Sequence, residues 1–524
     1  MEYLEIYDSS LRDGGQGEGI SFSLNDKLHI VSALDRLGVA YIEAGNPGFH
    51  PKDQEFFDRA RTLRLQTSRL VAFGSTRRKD ASCDADDSIR ALLEAGTETV
   101  AVFGKCWDLH AERVLGATLS ENLAMIADTV RYLTGQGRRV IFDGEHFFDG
   151  YKANPRYALE CLRAAREAGA VCLCLCDTNG GALPEEIEKA VKASSDMASG
   201  AMLSIHCHND CGLAAANTLA GVRSGAGQVQ GTFLGYGERC GNVNLSTVIP
   251  LLELRLGIRC LPKGNLALLT RTANEIAQIS NLPLQHDMPF VGRSAFAHKA
   301  GMHADGVLKT TRSFEHINPE LVGNERRFLV SENAGRKIIA KKVEKIVPGL
   351  AADSPELQEI ISELKEQERR GYQFEGAEGS FALLVRRVLG KAEPSFQLVS
   401  YKILDELPYD NGASATATIK VRVGGRLQVS AAEGEGPVNA LDKALRSALE
   451  IFYPQLARVQ LVDYKVRVME PKDATAALVR VLITTTDGKT SWTTVGVSND
   501  VIEASWLALV DSIEYKLHVA KELE

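Results

Sequence analysis

The first half of the chain alternates short apolar runs with longer amphipathic stretches at a spacing of roughly 30 residues, which leaves few folds open. The apolar runs predict eight strands, at residues 4–7, 40–43, 70–73, 99–103, 139–142, 171–176, 202–206 and 228–232. The stretches between them predict helices, the clearest at 25–37, 84–94, 155–168, 184–192 and 214–222. Eight strand and helix units within about 260 residues indicate an α/β fold with parallel strands, a TIM or (β/α)₈ barrel.

The composition fits a folded protein and argues against two classes of partner. The 524 residues include 44% hydrophobic and 24% charged side chains, as in globular proteins with a buried core. The formal net charge of -8 comes from interleaved acidic and basic residues, so we expect no nucleic-acid partner. No apolar run approaches the roughly 20 residues that span a bilayer, and the N-terminus carries no basic or apolar leader, so we expect a cytoplasmic protein without membrane partners.

Unusual polar residues follow the predicted strands, where the active sites of such barrels lie. They are Arg12 and Asp13 after the first strand, Glu43 and Asn46 after the second, Asp143 and Glu145 after the fifth, Asp177 and Thr178 after the sixth, His206 and His208 at the seventh, and residues 238–242 after the eighth. Two histidines at i and i+2 of a strand share a face, and one carboxylate completes a three-ligand metal site with open positions. The histidine pair alone also fits a packed polar layer, but the joint placement favours a metal.

Five segments resemble the DRE-TIM metallolyase superfamily, and within it the family of isopropylmalate, homocitrate and citramalate synthases. They are SSLRDGGQGEG near the N-terminus, CDTNGG after the sixth strand, HCHNDCGLAAANTLAGVRSGA around the seventh, QGTFLGYGERCGNVNL at the eighth, and GRSAFAHKAGMHADGVLK further on. The last segment is similar to the synthases and not to the lyases and aldolases of the superfamily. The resemblance continues through GYQFEGAEGSFALLVRR, which is similar to the citramalate synthase branch. It implies an acyltransferase that condenses acetyl-CoA with a 2-oxo acid.

The resemblance also implies a metal site. Asp13, His206 and His208 would hold a divalent ion (Mg, Mn, Co or Zn), with the amide oxygen of Asn242 as a weaker ligand. Such an ion acts as a Lewis acid on the carbonyl under attack, and its identity stays open because this ligand set accepts several divalent metals. Arg12 would bind the substrate and donate hydrogen bonds to the oxygen that gains charge. The alternative is that Arg12 only orients Asp13.

Substrate contacts and acid–base groups follow from the same resemblance. Thr178 and Asp143 would contact the 2-oxo acid, although an Asp-Thr pair at a strand end is also a helix-capping pattern. Glu145 and His303 would remove a proton from the acetyl-CoA methyl group, and the sequence leaves open which of them takes it. The resemblance implies that His303, which lies beyond the barrel, serves the neighbouring subunit of a homodimer. Phe314 stands where many relatives carry tyrosine, so one hydroxyl of the family's active site is missing.

The organisation changes beyond the barrel. Residues 332–345 and 355–369 predict the helices of a connector, and from about residue 395 a pattern of strands followed by a helix occurs twice. Two residue pairs repeat at a shift of about 63, which indicates an internal duplication: Gly425 with Gly488, and Ala440 with Ala504. This α+β region resembles the LeuA-type regulatory domain, which implies a branched-chain amino acid effector at a dimer interface. Isoleucine is favoured over leucine, and a purely dimerising module is the alternative.

We therefore expect three domains, a catalytic barrel at 1–275, a helical linker that carries His303 at 276–392, and a LeuA-type allosteric and dimerisation domain at 393–524. The expected reaction joins acetyl-CoA to pyruvate and hydrolyses the thioester, giving (R)-citramalate for isoleucine synthesis. The alternatives are the same condensation on a larger 2-oxo acid, bond cleavage by a lyase or aldolase, and a non-catalytic protein that binds an amino acid. The segment EAGNPGF lacks the tryptophan expected in close citramalate synthases, which leaves the acceptor open.

Overall fold

The computed structural model describes residues 3–299, 301–329, 336–351, 353–405, 414–469 and 477–519. The chain forms two compact units, the first made of Met1–Phe296 and His316–Arg326 and the second of Ala297–Glu315 and Arg327–Glu524. Within the described ranges, none of the helices combines the length and the apolar character that a membrane crossing requires. The division into three domains at residues 275 and 392 stays a prediction.

The first unit contains a closed barrel of eight parallel strands. The strands are β1 Glu5–Asp8, β2 Tyr41–Gly45, β3 Arg69–Ser75, β4 Thr99–Lys105, β5 Arg139–Glu145, β6 Cys172–Asp177, β7 Met202–Cys207 and β8 Gln228–Gly231. Each strand pairs with the next, and β1 pairs with β8, with Glu5 opposite Gln228 and Asp8 opposite Gly231. The predicted barrel is confirmed, and the strand ends differ from the predicted ones by three residues at most.

Helices connect the strands and cover the outside of the barrel. They are α1 Leu24–Leu37, α2 Pro51–Ala60, α3 Asp87–Glu94, α4 Leu119–Gly135, α5 Phe147–Ala153, α6 Pro155–Glu167, α7 Pro184–Ser194 and α8 Ala214–Arg223, followed by α9 Leu245–Leu251 and α10 Leu269–Ile279. Local signals set their ends. Ser23 forms a capping box with Asp26 at the start of α1, and Gly38 ends this helix at a φ of 96°, a left-handed conformation that glycine adopts without strain.

The barrel interior changes from apolar to polar towards the C-terminal ends of the strands. Its apolar layer consists of Tyr7, Tyr41, Val71, Phe73, Ala101, Ile141 and Cys172. Two residues beyond Tyr41 and Ile141, the same strands carry Glu43 and Asp143, both buried. Because side chains alternate along a strand, these carboxylates share the inward face of the apolar layer. The fold thus directs acidic side chains to one mouth of the barrel.

The second unit begins with a short parallel strand pair and four helices. They are β9 Ala297–His298, α11 Gly301–Lys309, β10 Arg327–Phe328, α12 Arg336–Ile346, α13 Pro355–Arg369 and α14 Glu378–Val388. The predicted connector helix at 355–369 is confirmed. The helix predicted at 332–345 is present from Arg336 onwards, and residues 332–335 lie outside the described residues.

The second unit ends with the predicted duplication. The first copy consists of β11 Gln397–Asp405, β12 Ala415–Val423, β13 Arg426–Gly434 and α15 Pro437–Leu449. The second consists of β14 Gln460–Val468, β15 Val479–Thr486, β16 Ser491–Ser498 and α16 Val501–His518. Each sheet is antiparallel with its strands in chain order. Ala440 and Ala504 are fully buried in the two helices.

The two copies share their irregularities as well as their elements. Gly425 and Gly488 lie in the hairpin turns with φ of 82° and 86°, where glycine avoids strain. The first strand of each copy also shifts its register once, at 398–400 and at 461–463, which again are about 63 residues apart. A register shift is not a requirement of a three-stranded sheet, so its recurrence supports an origin by duplication.

Candidate metal centre and active site

The loop after β1 supplies the first part of the candidate metal centre. The backbone amides of Arg12, Asp13 and Gly14 all donate to the carbonyl oxygen of Ser9, at 3.1, 2.9 and 3.1 Å, which folds the loop tightly. The Asp13 side chain is buried, and its Oδ2 lies 3.4 Å from Nε2 of His206. The loop therefore turns a carboxylate from the first strand towards the seventh.

The end of β7 and the segment after β8 supply the other groups. The rings of His206 and His208 lie 5.2 Å apart, measured between centroids, because residues i and i+2 share a face. The backbone of Asn242 forms an antiparallel bridge with His208, and Asn242 Oδ1 lies 2.9 Å from His206 Nε2. One ligand atom from each of Asp13, His206 and His208 lies within 4.8 Å of the others. The structure thus brings the four predicted metal ligands together.

The chemistry of these side chains fits a cation. Asn242 Nδ2 donates to the carbonyl oxygen of Tyr236 at 3.0 Å, which turns Oδ1 towards His206. This oxygen and a carboxylate oxygen of Asp13 then face the same imidazole nitrogen, at 2.9 and 3.4 Å. Nδ1 of His208 is buried, and within the described part of the chain it has no hydrogen-bond partner. A divalent ion is the partner that satisfies converging oxygen and imidazole acceptors.

Burial and charge keep two of these groups in metal-binding forms. Burial lowers the pKa of His208 to about 4, with a further contribution from His206, so the ring is neutral at pH 7. Burial acts to raise the pKa of Asp13, but the charge of Arg12 and the two imidazoles outweigh it and lower that pKa. Neutral imidazole and ionised carboxylate are the forms that bind divalent metals.

A cavity of about 580 Å³ opens beside the ligands at the C-terminal ends of the strands. It is lined by most of the predicted site residues, namely Arg12, Asp13, Asp143, Glu145, Thr178, His206 and His208. Asn242 lines a second cavity, of about 810 Å³. His303 lies in the second unit.

Arg12 is held at the cavity wall by contacts that the sequence did not reveal. Its Nε donates to Glu43 Oε1 at 2.6 Å, and the hydroxyl of Tyr7 donates to the other oxygen of Glu43 at 2.5 Å. The guanidinium carbon lies 3.7 Å from the centre of the Phe73 ring. Burial acts to lower the pKa of Arg12, but Glu43 and Asp13 raise it, so the group stays charged. Because Nε is engaged, the terminal nitrogens are the ones that can donate to Asp13, 3.6 Å away, or to a ligand.

Asp143 is an acid of the cavity wall whose pKa is strongly shifted. Burial raises its pKa to about 7, and the nearby Glu43 adds to this. Its Oδ1 accepts a hydrogen bond of 3.1 Å from Nε2 of Gln230, a second contact that the sequence analysis missed. Phe73 and Phe103 line the same cavity and stack with their centroids 5.4 Å apart. The cavity therefore combines an apolar wall with a few polar groups, as small-molecule sites do.

Thr178 and Glu145 lie at the C-terminal ends of the neighbouring strands β6 and β5. Thr178 has a hydrogen-bond partner, and Glu145 has an ion-pair partner. Thr178 Oγ1 accepts a hydrogen bond of 2.9 Å from the backbone amide of His146, which leaves its own proton available for donation. It does not cap the next helix, because the residue at the N-cap of α7 is Leu183. Glu145 forms an ion pair with Lys105, the residue that pairs with it across β4 and β5.

In the second unit, His303 stacks on the aromatic ring of Phe314. The His303 and Phe314 rings lie 4.2 Å apart with an angle of 23° between their planes. Phe314 is 47% exposed, although it is a large apolar side chain. The next residue, Glu315, lies 3.0 Å from Nε2 of His298. The acid–base role of His303, and the loss of an active-site hydroxyl at Phe314, both follow from the resemblance and stay predictions.

A buried ion pair holds the loop after β2. Lys27 Nζ donates to Asp53 Oδ1 at 2.5 Å and to the carbonyl oxygen of Ala44 at 2.9 Å. Asp53 Oδ2 accepts a hydrogen bond of 2.8 Å from the backbone amide of Asn46. Lys27 and Asp53 both line the cavity. The pair thus fixes the start of the loop at the edge of the site.

We expect Lys27→Met to lower the free energy of unfolding of the barrel by about 3–5 kcal/mol, because it leaves the Asp53 carboxylate buried without its counter-charge. Unfolding in denaturant, followed by circular dichroism, measures the change. The control is Arg59→Met, which breaks an exposed pair with Glu55 and should cost less than about 1 kcal/mol. Equal losses in the two variants would contradict a structural role for the buried pair.

Profiles of three known families match successive parts of the chain. The HMGL-like family matches residues 3–276, the homocitrate synthase post-HMGL domain-like family matches residues 290–371, and the LeuA allosteric (dimerisation) domain matches residues 375–517. The chain is 49% identical to an (R)-citramalate synthase of Aquifex aeolicus, over 98% of both chains. It is also 49% identical to one of Synechocystis, over 98% of this chain and 96% of that one. An (R)-citramalate synthase of Sulfolobus acidocaldarius is 44% identical, over 99% of this chain and 97% of its own.

The closed barrel, the ligand cluster at its C-terminal mouth and the HMGL-like match define the class, a metal-dependent condensing enzyme. The sequence identity of 44–49% to three (R)-citramalate synthases, over nearly the full length, identifies the family within this class. The chain belongs to the (R)-citramalate synthase family. Membership in this family disfavours the lyase, aldolase and non-catalytic alternatives.

Proposed function

We propose that this protein condenses acetyl-CoA with pyruvate and hydrolyses the resulting thioester, giving (R)-citramalate and CoA. The new bond joins the acetyl methyl carbon to C2 of pyruvate, and the carbonyl oxygen of pyruvate takes up a proton. Water then cleaves the thioester and releases CoA. The observation that carries the proposal is the cluster of Asp13, His206 and His208 beside the cavity of about 580 Å³. The chain that contains this cluster is similar over nearly its full length to (R)-citramalate synthases.

Asp13, His206 and His208, with the amide oxygen of Asn242, would hold a divalent ion whose identity this ligand set does not fix. When bound, the ion supplies Lewis acidity towards the carbonyl oxygen of the 2-oxo acid. Arg12 adds a fixed positive charge to the same wall of the cavity, because Glu43 and Tyr7 hold its Nε side. Its terminal nitrogens then donate to the carbonyl oxygen as negative charge develops there.

Thr178 and Asp143 are proposed to bind the 2-oxo acid. The hydroxyl of Thr178 has its acceptor side engaged by the His146 amide, so its proton is directed to another acceptor, which a substrate carboxylate provides. Asp143 has one oxygen bound to Gln230 and lines the cavity, which leaves its second oxygen for a substrate contact. Both residues therefore have a free hydrogen-bonding atom at the cavity.

The proton of the acetyl methyl group is proposed to leave through Glu145 or His303. Glu145 lines the cavity, and its ion pair with Lys105 holds the carboxylate in place at the cavity wall. His303 stacks on an exposed phenyl ring within its own unit. An exposed histidine and phenylalanine are suited to meet another copy of the chain, so we propose that His303 completes the site of the partner in a homodimer.

The duplicated region is proposed to form the dimer and to bind isoleucine as effector. Its sheets expose several apolar side chains by 46–51%, among them Leu427, Val429, Val466 and Val468. Exposed apolar strands of this kind mark an interface. The match to a domain family described as allosteric and dimerising supports the same proposal. The cytoplasmic location stays a prediction.

Release of free CoA by metal-loaded protein tests the reaction. We expect the highest kcat/KM with pyruvate among pyruvate, 2-oxobutyrate, 2-oxoisovalerate and 2-oxoglutarate, because a pocket built for one acid loses about tenfold or more per methylene added or removed. We also expect inhibition by isoleucine and a weaker effect of leucine. Chromatography of the product against authentic (R)-citramalate provides the control for unproductive thioester hydrolysis.

The outcomes of this assay separate the alternatives. Preference for 2-oxoisovalerate or 2-oxoglutarate would replace citramalate synthesis with the isopropylmalate or homocitrate type of condensation. Release of CoA without any 2-oxo acid would indicate a thioesterase. Absence of release with all four acids, in protein that binds both isoleucine and metal, would favour a non-catalytic role.

A further inference from the structure

We propose that Gln230 is a positioning residue that selects the metal-binding tautomer of His206, and that Asp143 holds Gln230 in the orientation that does so. The inference rests on the proposed metal centre. A neutral imidazole carries its single proton on one of two nitrogens, and only the other nitrogen can bind a metal. The tautomer of His206 therefore determines whether the ligand cluster is ready for an ion.

The three residues form a continuous chain of contacts inside the barrel. Gln230 on β8 is the strand partner of His206 on β7, so the two side chains leave the sheet on the same side. Gln230 Oε1 lies 3.3 Å from His206 Nδ1. On its other side, Gln230 Nε2 donates to Asp143 Oδ1 at 3.1 Å. All three side chains are buried.

The direction of these bonds follows from Asp143. The carboxylate form of Asp143 only accepts hydrogen bonds, and the amide nitrogen of Gln230, which lies 3.1 Å from its Oδ1, is a donor only. Nε2 therefore belongs on the Asp143 side, which places the amide oxygen on the His206 side. Because that oxygen only accepts, the hydrogen bond forms when His206 carries its proton on Nδ1. The Nε2 lone pair of His206 is then left for the cluster.

The opposite tautomer would disable the cluster. A proton on Nε2 would instead be donated to Asn242 Oδ1 at 2.9 Å, beside Asp13 Oδ2 at 3.4 Å, and an ion would have to displace it. Partners that fix the ring of a metal-binding histidine are typically worth about 10- to 100-fold in metal affinity. Among the proposed metal ligands, Gln230 is hydrogen-bonded to His206 within the described part of the chain. It can therefore select the tautomer of His206 without binding the ion itself.

The test compares two buried glutamines on one strand. Gln228 lies two residues before Gln230, is buried like it, and also donates to a carboxylate, Glu5 Oε2, at 3.1 Å. It contacts none of the proposed metal ligands. Gln230→Met and Gln228→Met therefore remove the same amide from the same barrel interior, and only the first removes the acceptor from His206.

Titration of metal-stripped protein with Co²⁺, followed by its visible absorption and by competition with a chelator, measures the effect. We expect Gln230→Met to weaken Co²⁺ binding by about 10- to 100-fold, and Gln228→Met to stay within about threefold of the parent. Gln230→Glu restores an acceptor to His206, so its affinity should exceed that of Gln230→Met by about tenfold. Asp143→Ala frees the amide to rotate and should weaken binding by more than about threefold.

The outcomes show separately whether Gln230 has the proposed role and whether the proposed metal centre is correct. Parental affinity in Gln230→Met, or equal losses in both methionine variants, would overturn the inference while the metal centre stood. If the parent fails to bind Co²⁺, or if His206→Ala binds it as tightly as the parent does, the metal centre itself is wrong. Weaker Co²⁺ binding in Gln230→Met together with recovered binding in Gln230→Glu supports tautomer selection. If Gln230 served only for packing, a new acceptor at this position would not restore Co²⁺ affinity.

Discussion

His206→Ala is expected to lose the bound metal ion and to lower citramalate formation by about 10³-fold or more. Nε2 of His206 is the atom that Asp13 Oδ2 and Asn242 Oδ1 approach, at 3.4 and 2.9 Å, so its removal opens the middle of the ligand set. Loss of Lewis-acid stabilisation of the carbonyl oxygen costs several kcal/mol, and about 1.4 kcal/mol corresponds to a factor of ten in rate. Metal analysis by mass spectrometry and the CoA-release assay measure the two effects separately.

A matched histidine controls for general damage to this part of the barrel. His110 lies after β4, stacks on Trp107 with centroids 5.1 Å apart, and does not belong to the ligand cluster. His110→Ala should keep its metal and lose much less activity than His206→Ala. Full metal content together with full activity in His206→Ala would overturn the assignment of the centre. Full metal content with low activity would move His206 from the ligands to the catalytic groups.

The barrel and the residue types of its mouth could be predicted because they depend on local pattern. Strand periodicity identified the eight strands, and the polar residues that follow them include the four predicted metal ligands, which the structure brings together. His206 and His208 share a face by strand geometry alone. The C-terminal ends of barrel strands meet at one mouth, which places Asp13 there with several other carboxylates. The resemblance to the synthases singled out Asp13 among them.

The supporting contacts could not be predicted because they depend on register and closure. Lys105 reaches Glu145 since these two residues are paired across β4 and β5, a register that the strand limits alone do not define. Gln230 and Asp143 are 87 residues apart, and they meet only inside a closed barrel. Tyr7 and Glu43 meet through the register of the neighbouring strands β1 and β2. The sequence offered one signal, glutamines at 228 and 230 in a buried strand, whose partners stayed unknown.

For His303, the sequence motif predicts a role in the reaction, but it does not predict in which subunit's barrel the residue acts. It belongs to the second unit, and the proposed metal ligands belong to the first. The proposal that it serves the partner's site makes a prediction that single variants do not test. His206→Ala and His303→Ala should each be nearly inactive, the second by about 10²- to 10⁴-fold if His303 acts as a proton acceptor or donor.

Mixed dimers of these two inactive variants are expected to recover about half of the activity of the parent dimer. If His303 acts across the interface of a twofold dimer, one barrel of the mixed dimer has both its ligands and the partner's intact histidine, whereas the other has neither. Co-expression with two affinity tags and sequential purification isolates the mixed species. The CoA-release assay with acetyl-CoA and pyruvate then gives the activity per dimer.

The control uses two lesions that lie in the same unit. A mixed dimer of His206→Ala and His208→Ala has one damaged proposed ligand in each barrel, so it should stay inactive however His303 acts. If His303 serves its own barrel, the mixed dimer of His206→Ala and His303→Ala must be equally inactive, since each barrel then carries one lesion. Recovery in the first mixture and none in the second can arise only if a residue of one subunit completes the metal-containing barrel of the other.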